Sequence, residues 1–461
     1  MKLSYITAAV AILASGFAQA DVQRLAGASA SSINVVKALR NLCTGNGGTY
    51  AVYKTAAATD ALGNIVTATC TGAAFVDAVD EVRINVSGGS YGAVLSRNGN
   101  TGATPVPMIS AASATCVNLG AGTGSLSFMA AGEMKNCGAT GQNAELSDGG
   151  YLDVEGSIFR ANGLSVPPEV DDSTDFVPSA FLQAFGVGVS NDLYRALQAY
   201  QTAKGLLPAT CATTAVVAGV TQYTATGSAL PECQPSIARA SMAALVAAGN
   251  NFGKKGGANF LLGGSATLKN DLSPTQAIVP DVVLGTDFTY CRRPDTSGTQ
   301  QAANVYFLHA PTGSGEVGGA LGTAGNGVSG TVVIGANYKV TTNSSSGNVR
   351  TCLNAAGTAA GIISLENNPV GSSDTFRFVK LNGQYIADGV ANAAQTGEAI
   401  AGRYDFVYET FKYCPGGTCV SVLDAIDNAL APGASTPGLF LKSESNFTRN
   451  GNSNRPVTVK P

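Results

Sequence analysis

The chain has a single histidine, His309, and no tryptophan among its 461 residues. One imidazole excludes mechanisms that need two, including most zinc enzymes. A Ser-His-Asp triad would have to be built on His309 alone. Charge is scarce too: Asp, Glu, Lys and Arg make up 12% of the sequence, about half the usual ~25%. The net charge of −3 supplies no basic field to attract nucleic acid or an anionic membrane. Beyond the first twenty residues no apolar run approaches the ~20 residues that span a bilayer. Disorder is excluded as well, because 45% of the residues are hydrophobic. The length leaves room for about two or three domains.

What is present starts with a leader. Lys2, an apolar run from Ile6 to Ala14, and the small-x-small triplet Ala18-Gln19-Ala20 predict a secretory signal peptide over residues 1–20. No membrane span is expected once it is cleaved, and no cysteine at the cleavage site signals a lipid anchor. The expected location is periplasmic or secreted. All ten cysteines fall in the mature chain: Cys43, Cys70, Cys116, Cys137, Cys211, Cys233, Cys291, Cys352, Cys414 and Cys419. An even count in an exported chain reads as disulfides. Sequence leaves the connectivity open, and pairing of neighbours is the simplest arrangement. Cys414-Pro-Gly-Gly-Thr-Cys419 has the wrong spacing for a zinc knuckle and no second cysteine pair nearby, so no metal or cofactor is expected.

Short β-like runs alternate with helical stretches, which predicts an α/β fold. Strands are expected at Val22–Leu25, Val82–Val86 and Phe185–Val189, and helices at Ile33–Leu42, Asn191–Lys204, Pro235–Ala248 (capped by Ser236) and Ala302–Leu308. Residues 311–330 and 101–148 read as Gly-rich loop. Three times a strand leads through small, hydroxyl-rich residues into a helix or apolar stretch: at Gly27–Ser32, Ser87–Gly92 and Ser297–Thr299. A helix start exposes unpaired N–H groups at the positive end of its dipole and so suits an anion. Taken singly, each loop reads first as an ordinary cap; Ser297 and Gln300 even fit the S-x-x-Q capping box. The third loop has more. Arg293 stands four residues before Ser297 and supplies a planar, two-pronged donor, with Asp295 between them to orient it.

The run Arg293-Pro294-Asp295-Thr296-Ser297-Gly298-Thr299 resembles the R-x-D-x-S-G-T motif of the periplasmic phosphate-binding proteins of ABC transporters. Other segments are similar in the same order: Leu25–Ser29 and Ser87–Ser90 resemble that family's first two loops, and Pro235–Met242 one of its helices. Gly361–Leu365 and Gly402–Phe406 resemble two of its strands. The resemblance implies a two-lobed type II periplasmic-binding-protein fold with disulfide-stapled insertions. Residues 21–183 and 395–461 would form lobe 1 and residues 184–394 lobe 2. It implies a non-enzymatic solute-binding protein holding phosphate or a related oxyanion, with an ABC transporter permease as partner. The ligand residues carried over are Arg293, Ser297, Gly298 and Thr299, with Ser29 or Ala30 and Ser87 or Ser90 from the first two loops. The family's G-x-S-D element finds its counterpart at Val154–Ile158. That places Ile158 where the aspartate would stand, with Asp153 and Glu155 out of register, and predicts an oxyanion cleft with altered selectivity.

Two other readings stay open. One is an exported surface or matrix protein that keeps the fold without the ligand, which low charge and Gly/Ser/Thr-rich loops favour. The other is a hydrolase, weakened by His309 at the end of an apolar helix. The carboxylates Asp171, Asp172 and Asp175 read as a solvated linker.

Overall fold

The structure, a computed structural model, describes residues 21–246, 260–264, 270–281, 288–309, 330–333, 338–355, 357–370, 372–384, 393–430, 438–449 and 458–460. The expected leader (1–20), the last two residues of the expected helix Pro235–Ala248, and nearly all of the loop 311–330 lie outside them. The fold is mixed α/β, with two large sheets, smaller ones, and insertions closed by disulfides.

One layer is built on the first strand, Asp21–Ala26. It pairs in parallel with Val79–Asn85 on one side and meets Gly149, at the start of Gly150–Leu152, through a parallel bridge at Leu25. Gly150–Leu152 pairs with Val407–Tyr413, and that strand pairs with the first part of Phe176–Val189. Ile65–Thr71 and Thr49–Lys54 extend this layer beyond Val79–Asn85 as antiparallel strands. The second layer carries Arg377–Leu381, the end of Phe176–Val189, Thr358–Ser364, Phe288–Arg292, Tyr338–Thr342 and Gly330–Val333 in that order. Phe176–Val189 therefore serves both. Residues up to Ala184 bond Val407–Tyr413, and residues from Phe185 bond Thr358–Ser364. Its run Phe181–Val189 is buried throughout, as suits a strand covered on both faces. At the passage the Leu365 N–H donates to the Ala184 carbonyl and the Phe185 N–H to the Phe406 carbonyl.

Sequence explains the helices that flank these layers. Ser32–Gly45 turns Val36, Leu39 and Cys43 inward at a spacing of three to four residues. Asn191–Ala203 does the same with Leu193, Ala196, Leu197 and Tyr200. The expected helix at Pro235 begins later, at Arg239. Ser236 lies in a short strand paired with Lys380, and its hydroxyl accepts the Gly383 N–H instead of capping a helix. The strand expected at Gly402–Phe406 begins at Val407, after a turn at Ala401–Gly402. Residues 101–148 hold several short strands instead of plain loop. Asp175 is buried, and its carboxylate accepts the Gly416 N–H at 2.8 Å, so it orders the Cys414–Cys419 turn and is no linker residue.

All five disulfides join neighbours in sequence: Cys43–Cys70, Cys116–Cys137, Cys211–Cys233, Cys291–Cys352 and Cys414–Cys419. Cys291–Cys352 ties the strand that precedes Arg293 to the helix Ser346–Ala355. The two layers meet elsewhere. Buried Lys54 donates from Nζ to the carbonyls of Ala56, Ala58 and Ala61 at 2.6–2.8 Å, which shapes the insertion after it. That insertion presents Asp60, whose carboxylate accepts the Ser373 N–H and hydroxyl at 2.8 Å and lies 3.8 Å from Arg350. Arg350 also pairs with Asp374 at 2.5 Å. Among the described residues no helix is long and apolar enough to cross a membrane.

Candidate functional site

Arg293 follows the strand Phe288–Arg292 and is buried. Its guanidinium donates from Nε to the Asn343 carbonyl at 3.1 Å and from Nη2 to the Ser344 carbonyl at 3.0 Å. From Nη1 it reaches the Ser29 hydroxyl at 2.8 Å and the Ser346 hydroxyl at 3.3 Å. A guanidinium carries five N–H donors, so four have partners within the chain. Burial pulls Arg293 down from 12.5 to about 10, while the charge of Asp153 pulls it back up; it remains a cation at neutral pH. Asp295 does not orient it. That carboxylate pairs with Arg292 instead.

The helix Gly298–Leu308 starts immediately after the motif. Ser297 occupies its N-cap position with no side-chain cap bond, and Gln300 completes no capping box. Gln300 Oε1 accepts the Arg293 N–H at 3.2 Å, and its Nε2 donates to Asn304. Against this helix start comes the second loop. The Ser90 hydroxyl accepts N–H groups from Gly298 at 3.0 Å and from Asp153 at 3.2 Å. The approach is close enough to require glycine twice. A Cβ on Gly298 would stand 2.4 Å from Ser90 Oγ and 2.6 Å from Asp153 Cβ, and one on Gly89 (φ +69°) would stand 2.8 Å from Ser297 Cα.

Asp153 directly follows the strand Gly150–Leu152 and accepts the Thr299 hydroxyl on Oδ2 at 3.0 Å. Its Oδ1 is buried and has no partner among the described residues. Burial pushes its carboxyl up to about 6, against the Thr299 hydroxyl, the Arg293 charge and Ser90. Ile158, expected where a carboxylate would stand, lies in the helix Gly156–Ala161 and packs into the apolar core. The carboxylate at the motif is Asp153, the residue that sequence register had set aside.

Of the residues singled out in sequence, the structure brings together Ser29, Ser90, Arg293, Ser297, Gly298 and Thr299. Ala30 packs into the apolar core beside the first loop. Ser87 turns away, its hydroxyl donating to Asn85 Oδ1 at 2.5 Å. Sequence reasoning missed Ser346 and Glu366 as well as Asp153. Ser344-Ser345-Ser346 is a fourth strand–hydroxyl–helix junction: it follows Tyr338–Thr342 and opens Ser346–Ala355, where the Ser345 hydroxyl accepts the Asn348 N–H as a cap. That signature was readable. His309 ends its helix in a left-handed conformation (φ 53°), with Nε2 3.4 Å from Arg239, at the opposite end of that helix from Gly298 and Thr299.

No protein-family model matches the sequence. No curated protein is significantly similar to it. Solved structures with a distant likeness include a Clostridium perfringens protein assigned as the substrate-binding protein of a phosphate ABC transporter, with phosphate bound. It shares 10% identity over 90% of this chain and 95% of that one, at a TM-score of 0.39. An ABC-type phosphate transport receptor from Vibrio cholerae gives 11% identity over 62% and 75%, at 0.28. A Planctomyces limnophilus protein assigned as phosphate-binding gives 9% over 85% and 81%, at 0.27.

Proposed function

We propose that this chain is an exported, non-enzymatic solute-binding protein that holds phosphate or a related protonated oxyanion between two lobes. Residues 21–183 with 395–461 form one lobe and residues 184–394 the other. One observation carries the reading: the buried Asp153 carboxylate accepts the Thr299 hydroxyl at the helix start, the Ser90 hydroxyl takes the backbone N–H groups of both Asp153 and Gly298, and the buried Arg293 guanidinium, bonded to Ser29, acts on that carboxylate through its charge. Arg293 and the amides of the Gly298–Thr299 helix start attract the anion, since both offer charge-favoured donors. Asp153 supplies the discrimination. A carboxylate facing the anion is tolerated when the anion brings a proton to share with Oδ1, and repels an anion that has none. Phosphate and arsenate meet that condition at neutral pH, and sulfate does not. The likeness of Arg293–Thr299 to the phosphate-binding motif supports the same ligand class, and an ABC transporter permease is the partner that goes with it.

A second reading, an exported surface protein without a ligand, is favoured by the chain's own oxygens already taking four of the five Arg293 donors. Titration calorimetry with Arg293→Ala separates the two. Loss of a buried, hydrogen-bonded charge partner weakens binding by about 2–5 kcal/mol, at least ~30-fold. Equal phosphate affinity in a folded Arg293→Ala protein removes the site.

A further inference from the structure

Glu366 is a second buried carboxylate beside this cluster. It follows the strand Thr358–Ser364, which pairs with the strand leading to Arg293. Its Oε2 accepts the Asn34 side-chain N–H at 2.9 Å. The backbone amides of Ile33 and Asn34, in the first turn of the helix Ser32–Gly45, also face the carboxylate. That helix opens three residues after Ser29, the residue that reaches Arg293. The Glu366 backbone is pinned as well, its carbonyl accepting the Ser125 hydroxyl at 2.8 Å. Oε1, by contrast, is buried and has no partner among the described residues.

The charges in this region do not balance if every acid is ionised. Arg293 is a cation, Asp153 and Glu366 are both carboxyl groups, and an anion would add more negative charge. Among the described residues no ion pair reaches Glu366. The charged group acting on it is Asp153, which together with burial drives its carboxyl well above the ordinary range, while the amides of Asn34 and Ile33 pull the other way. Burial without a counter-ion drives a carboxyl toward its neutral form. A neutral carboxyl has two different oxygens: a carbonyl that accepts, and a hydroxyl that must donate. Oε2, with its N–H partner, suits the first role. Oε1 is left for the second.

We propose that Glu366 is a specificity-determining residue of the cleft: a neutral carboxylic acid whose Oε1–H donates to an oxygen of the bound oxyanion, opposite in role to Asp153, which accepts from it. This rests on the oxyanion reading above and adds a fixed donor to it. The acid donates only while protonated, so anion affinity falls at alkaline pH as Glu366 ionises, and Glu366→Gln, whose amide also donates, escapes that fall.

The test has two arms. Infrared difference spectra of ligand-free wild type against Glu366→Gln at pH 7 report the C=O stretch of a protonated carboxyl group, with no need of an anion. The band is expected, and its absence overturns the neutral acid. Phosphate calorimetry of wild type, Glu366→Gln and Glu366→Ala across neutral to alkaline pH reads the donor role. At pH 7 the Gln protein should bind within about threefold of wild type and the Ala protein at least about tenfold more weakly, one lost hydrogen bond. A Gln protein that binds much more tightly than wild type at pH 7 shows an ionised, repelling Glu366. An unchanged Ala protein shows that Oε1 does not reach the anion. Either overturns the proposal. A wild type that takes up no phosphate overturns the oxyanion reading and the donor role with it, while the infrared band still decides whether Glu366 is neutral.

Discussion

Replacing Asp153 with Asn should make the ligand-free protein more stable and spoil its choice of anion. Asp153 is fully buried, and its carboxyl sits at about 6 instead of 3.8. At ~1.4 kcal/mol per pH unit, holding it ionised costs the folded state about 3 kcal/mol. The sign follows from linkage. Below pH ~4 the group is protonated folded and unfolded, and nothing is lost. Between about pH 4 and 6 the unfolded chain releases its proton while the folded one keeps it, so wild-type stability falls as pH rises. Above about 6 the whole cost is present. Asn carries no such charge. Its oxygen keeps the Thr299 hydroxyl, and its amide stands where Oδ1 already lacks a partner, an exchange that returns up to ~1–2 kcal/mol of the gain. Urea unfolding without anions should therefore find Asp153→Asn more stable by about 1–3 kcal/mol at pH 7 and nearly equal to wild type at pH 4. Added phosphate at a hundred times its Kd should raise wild type by about 2.7 kcal/mol, while the variant, now offering a donor, should respond to sulfate. An Asn protein less stable than wild type at pH 7, or a difference that does not shrink at pH 4, refutes the reasoning.

Two further outcomes follow from the same contacts. Ser90→Ala strips the acceptor from two buried amides, those of Gly298 and Asp153, and should cost about 2–4 kcal/mol in urea unfolding; Ser87→Ala, which loses only a half-buried bond to Asn85, should stay within about 1 kcal/mol of wild type. Removing the Cys291–Cys352 bond frees a 61-residue separation, worth about 4 kcal/mol in the chain-entropy account. Cys291→Ala/Cys352→Ala should therefore unfold at lower urea and, because the bond ties the Arg293 strand to the Ser346 helix, bind phosphate more weakly; unchanged affinity would show that those two elements hold their places without it.

How far sequence reaches is visible residue by residue. Neighbour pairing of cysteines was right for all five bonds, since each joins segments close along the chain. The loops around Ser29, Ser90 and Ser297 were legible because strand, hydroxyl and helix follow one another directly. Asp153 was not. Counting register from a G-x-S-D pattern led to Ile158, but the strand Gly150–Leu152 hands over at Asp153, the residue just past its end, and that position decides which side chain meets Thr299. Asp295 stands close to Arg293 in sequence, yet its carboxylate pairs with Arg292, while Arg293, just past the strand, turns to Asn343, Ser344, Ser29 and Ser346. Glu366 carried no local signal at all. It matters because Thr358–Ser364 pairs beside Phe288–Arg292, a non-local pairing, and burial far from its own neighbours sets its protonation.

The central claim is that Asp153 and Arg293 together select an oxyanion that carries a proton. Calorimetric titration of the oxidised mature protein at pH 7, with phosphate and then with sulfate, tests it most directly. Micromolar or tighter binding of phosphate, with sulfate at least a hundredfold weaker, is the predicted result. Equal affinity for the two anions, or no binding of phosphate, would contradict it.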